Sequence, residues 1–328
     1  MLLMLAAPAV GEAPPPKRPT FGTIERLDPR LDRIIPPGAV LEKLAEGFEW
    51  SEGPAWDRKA NRLYFSDVPR NVVHAWSEAG GRVDFLRPSG YTGPTPRGGE
   101  PGSNGLVIDT EGRLVLCQHG DRRVARAGPD GRFETLADRF EGKRFNSPND
   151  AAYKSDGSLY FTDPPYGLAK GNDDPAKEIP YNGVYRLAKD GTVTLLTKEM
   201  SFPNGIAFAP DESTLYVANS DPKRAIWMAF PVKDDGTLGA GRVFADFTKQ
   251  VGVKPGLPDG MKVDRSGNVF ATGPGGVLIF APDGTHLGTI DTGEATANCG
   301  WGGDGSTLYV TADMYLGRIA TATKGPGF

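Results

Sequence analysis

Short apolar runs, each introduced by a turn, recur along the chain and predict β-strands rather than long helices. In six of these runs an apolar or aromatic residue stands at the third position. These six residues serve as markers of the repeat: Tyr64, Val115, Tyr160, Tyr216, Phe270 and Tyr309. Successive markers are 39 to 56 residues apart. A period of this length indicates a repeated structural unit, and six markers indicate six copies.

Each copy carries the pattern of two β-hairpins. In the third copy, strand 159–162 follows the turn 155–157, and a second hairpin joins 183–187 to 192–196. Two hairpins supply four strands, and four strands every 40 to 50 residues or so form the blade of a β-propeller. The predicted fold class is therefore all-β, a six-bladed β-propeller with four-stranded antiparallel blades.

The two ends of the propeller are predicted to share the last blade. After the marker Tyr309, segment 317–323 supplies one more strand, which leaves this blade without its outer strand. Segment 39–48, ahead of the first blade, can fill that place and remove exposed sheet edges. We therefore expect a single propeller domain over residues 21–328. Separate β-sandwich domains are the alternative, but they would not explain why all six copies of the repeat keep the same pattern in the same order.

Residues 1–20 are predicted to be a signal-like or disordered tail. An apolar run with small residues after it occupies 1–10, as in the back half of a secretory signal, but no basic region precedes it. The prolines at 14–16 favour a disordered tail instead. We expect a periplasmic or secreted location, with a cytoplasmic location as the alternative.

One polar residue per copy stands at a constant distance before its marker. Six residues share this position: Glu52, Asn104, Asn149, Asn204, Asp259 and Asn298. Each precedes its marker by 11 or 12 residues and falls near the start of the predicted innermost strand. Because innermost strands line the central channel, we expect the six side chains to point toward one axis. Turn formation by Asn-Gly and Asp-Gly pairs is the alternative interpretation of any single copy.

These six side chains offer oxygen ligands from two carboxylates and four amides. Two carboxylates close together in a channel repel each other unless a cation lies between them. Oxygen ligands of this kind suit Ca²⁺, with Mg²⁺, Mn²⁺ and Zn²⁺ as alternatives. The sequence has three histidines and no His-x-x-x-His or Cys-x-x-Cys pair, so a structural zinc site is not expected.

At these positions the chain resembles the SMP-30/gluconolactonase family and, more distantly, the calcium-dependent diisopropylfluorophosphatase. Four stretches carry the resemblance: Glu-Gly-Pro-Ala-Trp (52–56), Pro-Asn-Asp (148–150), Pro-Asn-Gly-Ile-Ala-Phe (203–208) and Pro-Asp-Gly-Met-Lys-Val-Asp (258–264). Each motif is short, but the ordered set at blade spacing, within residues 40–322, is specific. The resemblance implies a six-bladed propeller with one catalytic divalent cation in its channel.

The resemblance also implies roles for individual residues. Glu52, Asn149, Asn204 and Asp259 match the metal ligands of the family. Asp259 also matches the residue that the family uses as proton donor and acceptor or as nucleophile. The sequence alone does not choose between these two roles.

Three further residues are predicted to contact the substrate. Asn104 and the run 118–123 resemble the bacterial gluconolactonase branch, as does the run 163–168. Loops that follow the markers and precede the innermost strands share one face of a propeller, which places His119 and Tyr166 above the channel. A histidine there suits proton relay or substrate contact, with ordinary packing as the alternative. The longer loops at 87–103 and 164–182 leave the substrate open.

The composition of the chain limits the kinds of partner that it can bind. Lys plus Arg number 37 and Asp plus Glu 41, for a net charge of −4, which argues against a nucleic-acid partner. No apolar run of 18 residues occurs, so no membrane span is expected. We expect a small-molecule substrate and a monomer or homodimer. The two cysteines, Cys117 and Cys299, are expected to be buried thiols, with a single bridge as the alternative.

Three functions are compatible with this pattern. The first is a divalent-metal-dependent lactonase that hydrolyses a sugar lactone such as gluconolactone to the aldonic acid. The second is a calcium-dependent phosphotriesterase on the same site. The third is a non-enzymatic propeller used as a binding platform, for which Glu52 and Asp259 in the channel would have no purpose.

Overall fold

A computed structural model describes residues 18–328 of the protein. Six antiparallel sheets account for nearly all of the regular structure, and in each the strands follow one another outward in sequence order, except that N-terminal strands form the outer edges of the fifth and sixth sheets. The innermost strands of neighbouring sheets contact one another around a closed ring. This arrangement confirms the predicted six-bladed β-propeller.

The first three blades are each continuous in sequence, and their strands run from the channel to the rim. Blade 1 contains Ser51–Asp57, Arg62–Asp67, Val72–Ser77 and Gly81–Leu86. Blade 2 contains Ser103–Ile108, Leu114–Gln118, Arg123–Ala127 and Phe133–Ala137. Blade 3 contains Ala151–Tyr153, Leu159–Asp163, Gly183–Leu187 and Val193–Thr197. A two-stranded hairpin, Arg139–Phe140 with Lys143–Arg144, lies between blades 2 and 3 in sequence.

The other three blades follow the same plan, and two of them take strands from the start of the described chain. Blade 4 contains Pro203–Phe208, Thr214–Asp221, Arg224–Pro231 and Arg242–Asp246. Blade 5 contains Met261–Val263, Val269–Gly273, Gly276–Phe280 and His286–Asp291. Blade 6 contains Thr296–Gly302, Thr307–Ala312 and Tyr315–Ala320. Three 3₁₀ helices complete the list: Pro29–Arg33, Gly171–Asp173 and Thr248–Gln250.

Two N-terminal strands close the ring. Glu42–Glu46 pairs antiparallel with Tyr315–Ala320 and becomes the outer strand of blade 6, as predicted. Thr23–Arg26 pairs with His286–Asp291 as a fifth strand of blade 5, which the sequence pattern did not predict. Both strands cover sheet edges that would otherwise offer unpaired backbone groups to other chains.

The aromatic marker residues pack between neighbouring blades. Tyr160 of blade 3 is fully buried against Ile206 and Leu215 of blade 4. Tyr309 of blade 6 packs with Leu63 and Phe65 of blade 1 across the closure. The repeat in the sequence is therefore the repeat of an apolar layer between adjacent sheets. Burial of one such side chain contributes about 1.5–3 kcal/mol.

Hydroxyl groups on the second strands link blades 1, 3 and 5 to the blade that follows, near the channel. The three links join a side-chain hydroxyl to a carbonyl beside the start of the following innermost strand at 2.7 to 2.9 Å: Ser66 to Asn104, Thr162 to Asn204 and Thr272 to Ala297. Each bond gives a backbone carbonyl a hydrogen-bond partner. They fix the starts of these three innermost strands against the neighbouring blades.

Glycine follows the polar channel residue in four blades because neighbouring backbones come too close for a side chain. A Cβ on Gly205 would collide with the carbonyl oxygen of Asp259, and one on Gly260 would collide with the side chain of Asn298. Positive φ is required at Gly53 alone of the four. The Asn-Gly and Asp-Gly pairs are therefore close-packing devices on the channel wall, and the turn interpretation is wrong.

Gly205→Ala is expected to lower the free energy of unfolding by about 2–3 kcal/mol, because the added methyl group must displace rigid backbone of blade 5. Urea denaturation followed by tryptophan fluorescence measures the change. Gly239→Ala is the matched control, since its new Cβ would lie 3.4 Å from Pro231, an ordinary contact distance. Equal stabilities of the two variants would contradict the close-packing explanation.

Some predictions fall outside the described part of the chain. The apolar run at 1–10 lies outside residues 18–328, so the predicted signal-like or disordered tail, the boundary at residue 20 and the location stay predictions. Within residues 18–328 no helix is long and apolar enough to cross a membrane. Cys117 and Cys299 are buried free thiols, which confirms the favoured interpretation over a bridge.

Candidate functional site

Irregular backbone at the start of each innermost strand aims the six polar side chains. In blades 1, 2, 4 and 6 a register shift interrupts the pairing at or beside the polar residue. In blades 3 and 5 the regular strand begins only at Ala151 and Met261, so Asn149 and Asp259 lie just before it, not on it as predicted. A bulge of this kind re-aims a side chain, which is why bulges are frequent beside functional sites.

The carboxylate of Glu52 lies at the centre of a hydrogen-bonded corner between blades 6 and 1. Glu52 is buried, and its Oε2 accepts hydrogen bonds from the backbone amide of Gly53 at 2.6 Å and from Asn298 Nδ2 at 3.1 Å. The Oδ1 of Asn298 is itself occupied, because it accepts from the backbone amide of Cys299 at 2.9 Å. Asn298 therefore orients Glu52, and its own oxygen is not available as a ligand.

Three amide oxygens around the same channel have no hydrogen-bond partner among residues 18–328. They are the Oδ1 atoms of Asn104, Asn149 and Asn204, and all three side chains are buried. The amide nitrogens of two of them are held: Asn149 Nδ2 lies 3.3 Å from His119 Nε2, and Asn204 Nδ2 donates to Ser220 Oγ at 2.9 Å. A buried acceptor without a partner costs about 1–3 kcal/mol, so this set is arranged for a ligand.

The two carboxylates that the repeat predicts in the channel affect each other. Burial, followed by the nearby charge of Asp150, raises the pKa of Glu52 to about 8. Burial and the charge of Glu52 raise the pKa of Asp259 well above its usual value, whereas the Asn204 amide acts to lower it. Both shifts have the cause expected of like charges in one cavity that lacks a positive counter-charge.

Asp150 is a third channel carboxylate, which the repeat pattern did not predict. One of its oxygens accepts from the backbone amide of Ala151 at 2.8 Å, and the other has no partner within the described residues. Burial raises the pKa of Asp150, and the Lys262 ammonium opposes this rise. The available signal was the sequence Asn149-Asp150, in which an aspartate replaces the glycine that follows the polar residue in four other blades.

His119 lies fully buried next to Asn149. Besides its contact with the amide nitrogen of that residue, its Nδ1 atom lies 2.9 Å from Oε2 of Glu100, a residue in the 87–103 loop. His74 and His286, for which the sequence favoured ordinary packing, belong to the third strand of blade 1 and the outer strand of blade 5. His119 is the histidine that touches the channel set.

Tyr166 covers another side of the channel. Its ring stacks on Phe202 with centroids 6.1 Å apart, and its buried hydroxyl has no partner among residues 18–328. Burial, then the negative charge of Asp259, raises the pKa of Tyr166, so the phenol stays protonated. A neutral phenol here can donate a hydrogen bond to a bound molecule.

The long loops that cover this face are tied to each other by Arg97. Its guanidinium donates to the carbonyl oxygens of Gly120 and Gly167, so the 87–103 loop is joined to both neighbouring loops. Arg122 is buried and donates from Nε to the Phe145 carbonyl at 2.7 Å. Asn172 and Asp173 in the 164–182 loop are exposed.

A cavity of about 840 Å³ lies at the opposite end of the channel. Its wall is mainly apolar, with Trp56, Tyr153, Phe208 and Trp301 among the lining residues. None of the six polar channel residues lines it. We assign the chemistry to the polar end because the buried carboxylates and the unpaired oxygens are there.

The residues at the polar end fit a divalent cation. Glu52 and Asp259 offer carboxylates, and Asn104, Asn149 and Asn204 offer oxygens that the protein leaves unpaired. Within residues 18–328, no three or more His, Cys, Asp or Glu side chains are grouped so that they could hold a metal ion by themselves. The donor set is thus the mixed carboxylate and amide type that hard cations prefer. The roles of the individual residues stay predictions.

The pH dependence of stability should reflect the raised pKa of Glu52. Between pH 4.5 and about 8 the folded metal-free protein keeps a proton that the unfolded chain loses, so stability should fall as pH rises through this range. One such proton corresponds to a slope of at most about 1.4 kcal/mol per pH unit. Urea denaturation of chelator-treated protein at several pH values measures the slope. A stability that rises between pH 5 and 8 would contradict it.

The fold and the site together define a class: a β-propeller with an acidic cluster of carboxylate and amide oxygens at one mouth of its channel. The chain belongs to the SMP-30/Gluconolactonase/LRE-like family, whose family model matches residues 50–313.

Individual relatives match most of the chain. The chain is 41% identical over 313 residues to the gluconolactonase of Zymomonas mobilis, and the matched region covers 93% of this chain and 88% of that protein. It is 27% identical over 261 residues to diisopropyl-fluorophosphatase of Loligo vulgaris, which covers 75% of this chain and 79% of that protein. Among solved structures, a gluconolactonase of Xanthomonas campestris gives a TM-score of 0.80 at 33% identity, covering 93% and 98% of the two chains.

Proposed function

We propose that the protein is a divalent-metal-dependent lactonase that hydrolyses a sugar lactone of the gluconolactone type to its aldonic acid. The observation that carries the proposal is the convergence of the buried Glu52 carboxylate, the part-buried Asp259 carboxylate and three unpaired amide oxygens at one mouth of the channel. The similarity to the gluconolactonases of Zymomonas mobilis and Xanthomonas campestris supports the choice of substrate.

Glu52, Asn149, Asn204 and Asp259 are proposed to hold the cation, with Asn104 completing the ring of oxygens. We propose calcium because every donor is an oxygen and the site combines carboxylates with amides. When bound, the cation supplies polarisation of the lactone carbonyl and stabilisation of the oxyanion. Magnesium, manganese and zinc are the alternatives that a direct comparison decides.

Asp259 is proposed to act on the reaction itself. Its carboxylate is the channel acid whose pKa is raised both by burial and by Glu52, which makes it basic enough to take a proton from the attacking water. The same carboxylate could attack the lactone carbonyl directly, and the two roles give the same net hydrolysis. The protonated phenol of Tyr166 is proposed to donate a hydrogen bond to the substrate.

The walls of the site favour a sugar lactone over an organophosphate. The side chains around the channel mouth, including Glu52, Asn104, Asn149 and Asn204, are polar, as a substrate rich in hydroxyl groups requires. The stacked Tyr166 and Phe202 provide one aromatic wall, which would also suit an apolar ester. A phosphotriesterase activity is therefore the second candidate, and the similarity to diisopropyl-fluorophosphatase supports it.

Hydrolysis of glucono-1,5-lactone by chelator-treated protein tests the proposal. We expect activity to be lost on chelation and restored by one of calcium, magnesium, manganese or zinc, each added separately. A phosphotriester serves as the parallel substrate under the same conditions. Cation binding with phosphotriester turnover but no lactone turnover would favour the second candidate, and absence of both binding and turnover would contradict an enzymatic site.

A further inference from the structure

The amide of Asn149 has to present its oxygen, and not its nitrogen, to the channel if it is to serve a cation. An amide group is nearly symmetric in shape, so its orientation depends on the hydrogen bonds around it. The buried neighbour of this amide is the His119 ring, whose Nε2 atom lies 3.3 Å from Asn149 Nδ2. Which atom of the amide faces that nitrogen depends on whether Nε2 carries a proton.

Glu100 can determine where the proton of His119 resides. Its Oε2 atom lies 2.9 Å from His119 Nδ1, on the side of the ring opposite Asn149. Nδ1 makes no aligned hydrogen bond within the described residues, so the Glu100 carboxylate acts on it through its charge at this 2.9 Å approach. A carboxylate beside Nδ1 favours the neutral tautomer that carries its proton there, and Nε2 is then an acceptor only.

The ring itself is held firmly. His119 is fully buried, and its backbone amide donates to the Gly102 carbonyl at 3.2 Å. A Cβ on Gly167 would lie 2.7 Å from the His119 Cβ atom and from its carbonyl oxygen, so that loop packs directly on the base of the His119 side chain. Glu100, by contrast, has 39% of its side chain exposed and belongs to the loop that Arg97 ties down.

We propose that Glu100 and His119 are positioning residues that turn the amide oxygen of Asn149 into the channel. Glu100 keeps the proton on Nδ1, Nε2 accepts from the amide nitrogen, and the oxygen is left to face the cation. This role goes beyond the substrate contact predicted for His119, and it rests on the proposed function only in giving the oriented oxygen a cation to bind.

The tautomer can be measured without any metal or substrate. The sequence has three histidines, so ¹⁵N-labelled histidine gives three ring systems, and the signal lost in His119→Gln identifies the ring in question. We expect the neutral form of His119 with a protonated Nδ1 and an unprotonated Nε2. A proton on Nε2 would overturn the proposal, because the amide would then turn its oxygen away from the channel.

Cation affinity provides the second readout. Calcium titration by calorimetry should show weaker binding, with a 10- to 100-fold larger dissociation constant, for His119→Phe and for Glu100→Leu. His119→Gln should bind within about threefold of the parent protein, because its side-chain oxygen can take the place of Nε2 as acceptor. Equal losses in the Gln and Phe variants would show that His119 only fills space, and would overturn the proposal.

Glu199→Gln is the matched control for the loss of charge. Glu199 is an exposed carboxylate in the loop that leads into the innermost strand of blade 4, on the same face of the propeller. The calcium affinity of the Glu199→Gln variant should equal that of the parent protein. A loss of calcium affinity as large as that of Glu100→Leu would overturn a specific role for Glu100. If the parent protein binds no cation at all, the proposed function fails, and the tautomer measurement alone decides the inference.

Discussion

Asp259→Asn is expected to reduce lactone turnover by about 10³-fold or more while the protein keeps its fold. The substitution preserves the shape of the side chain and leaves one oxygen, now that of an amide, but it removes the carboxylate that can accept a proton or attack the carbonyl. The parent carboxylate is held at a raised pKa by burial and by Glu52, so its loss also relieves a repulsion. The thermal midpoint of the metal-free variant should therefore be equal to or above that of the parent protein.

The rate is measured with saturating calcium, so that weaker cation binding does not enter the comparison. Asp234→Asn, an exposed aspartate in the loop after the third strand of blade 4, is the control for loss of one negative charge and should leave turnover unchanged. An Asp259→Asn variant with the turnover number of the parent protein would remove Asp259 from the reaction and leave it at most a cation ligand.

The fold could be predicted because apolar residues recur at equivalent positions in each blade. Each blade needs the same layer between itself and the next one, so Tyr64, Tyr160 and Tyr309 recur at blade spacing and are buried as expected. The closure by Glu42–Glu46 followed from counting strands. The fifth strand, Thr23–Arg26, occurs once and repeats nothing, so its pattern could not be distinguished from that of a connecting segment.

Residues of the site could be predicted only where they occupy a position that recurs in every blade. The six polar residues share one phase along the chain, and that phase alone predicts a channel position for Glu52 and Asp259. Glu100 and Lys262 escaped prediction because a loop position and a single strand position have no counterpart in the other blades. Their contribution depends on which side chains they meet across the fold, and spacing along the chain does not contain that information.

The carboxylates at the polar mouth of the channel carry an electrostatic cost that the proposed cation would relieve. Glu52 and Asp150 are buried, Asp259 is part-buried, and all three have raised pKa values, whereas Lys262 opposes the rise at Asp150. Removing ions from water costs several kcal/mol each unless a counter-charge is present. Cation binding and proton release should therefore be linked, with tighter binding at higher pH.

Glu52→Gln is expected to change stability and cation affinity in opposite directions. Loss of the negative charge of a residue that would hold the divalent cation should weaken calcium binding by about 10³-fold or more. The same loss removes an uncompensated buried charge from the metal-free protein, which at pH 8 should become more stable by about 3 kcal/mol. Glutamine retains an acceptor for the Gly53 amide and the Asn298 side chain, so the hydrogen-bonded corner can persist.

The order of thermal midpoints then reverses with calcium. Without the cation the Glu52→Gln variant should unfold at the higher temperature at pH 8, and with saturating calcium the parent protein should do so. At pH 5, where Glu52 of the metal-free parent protein is protonated, the two proteins should be nearly equal. Scanning calorimetry at both pH values, with and without calcium, measures all four comparisons. A variant that is less stable than the parent under every condition would show that Glu52 serves the packing of the channel and not a cation.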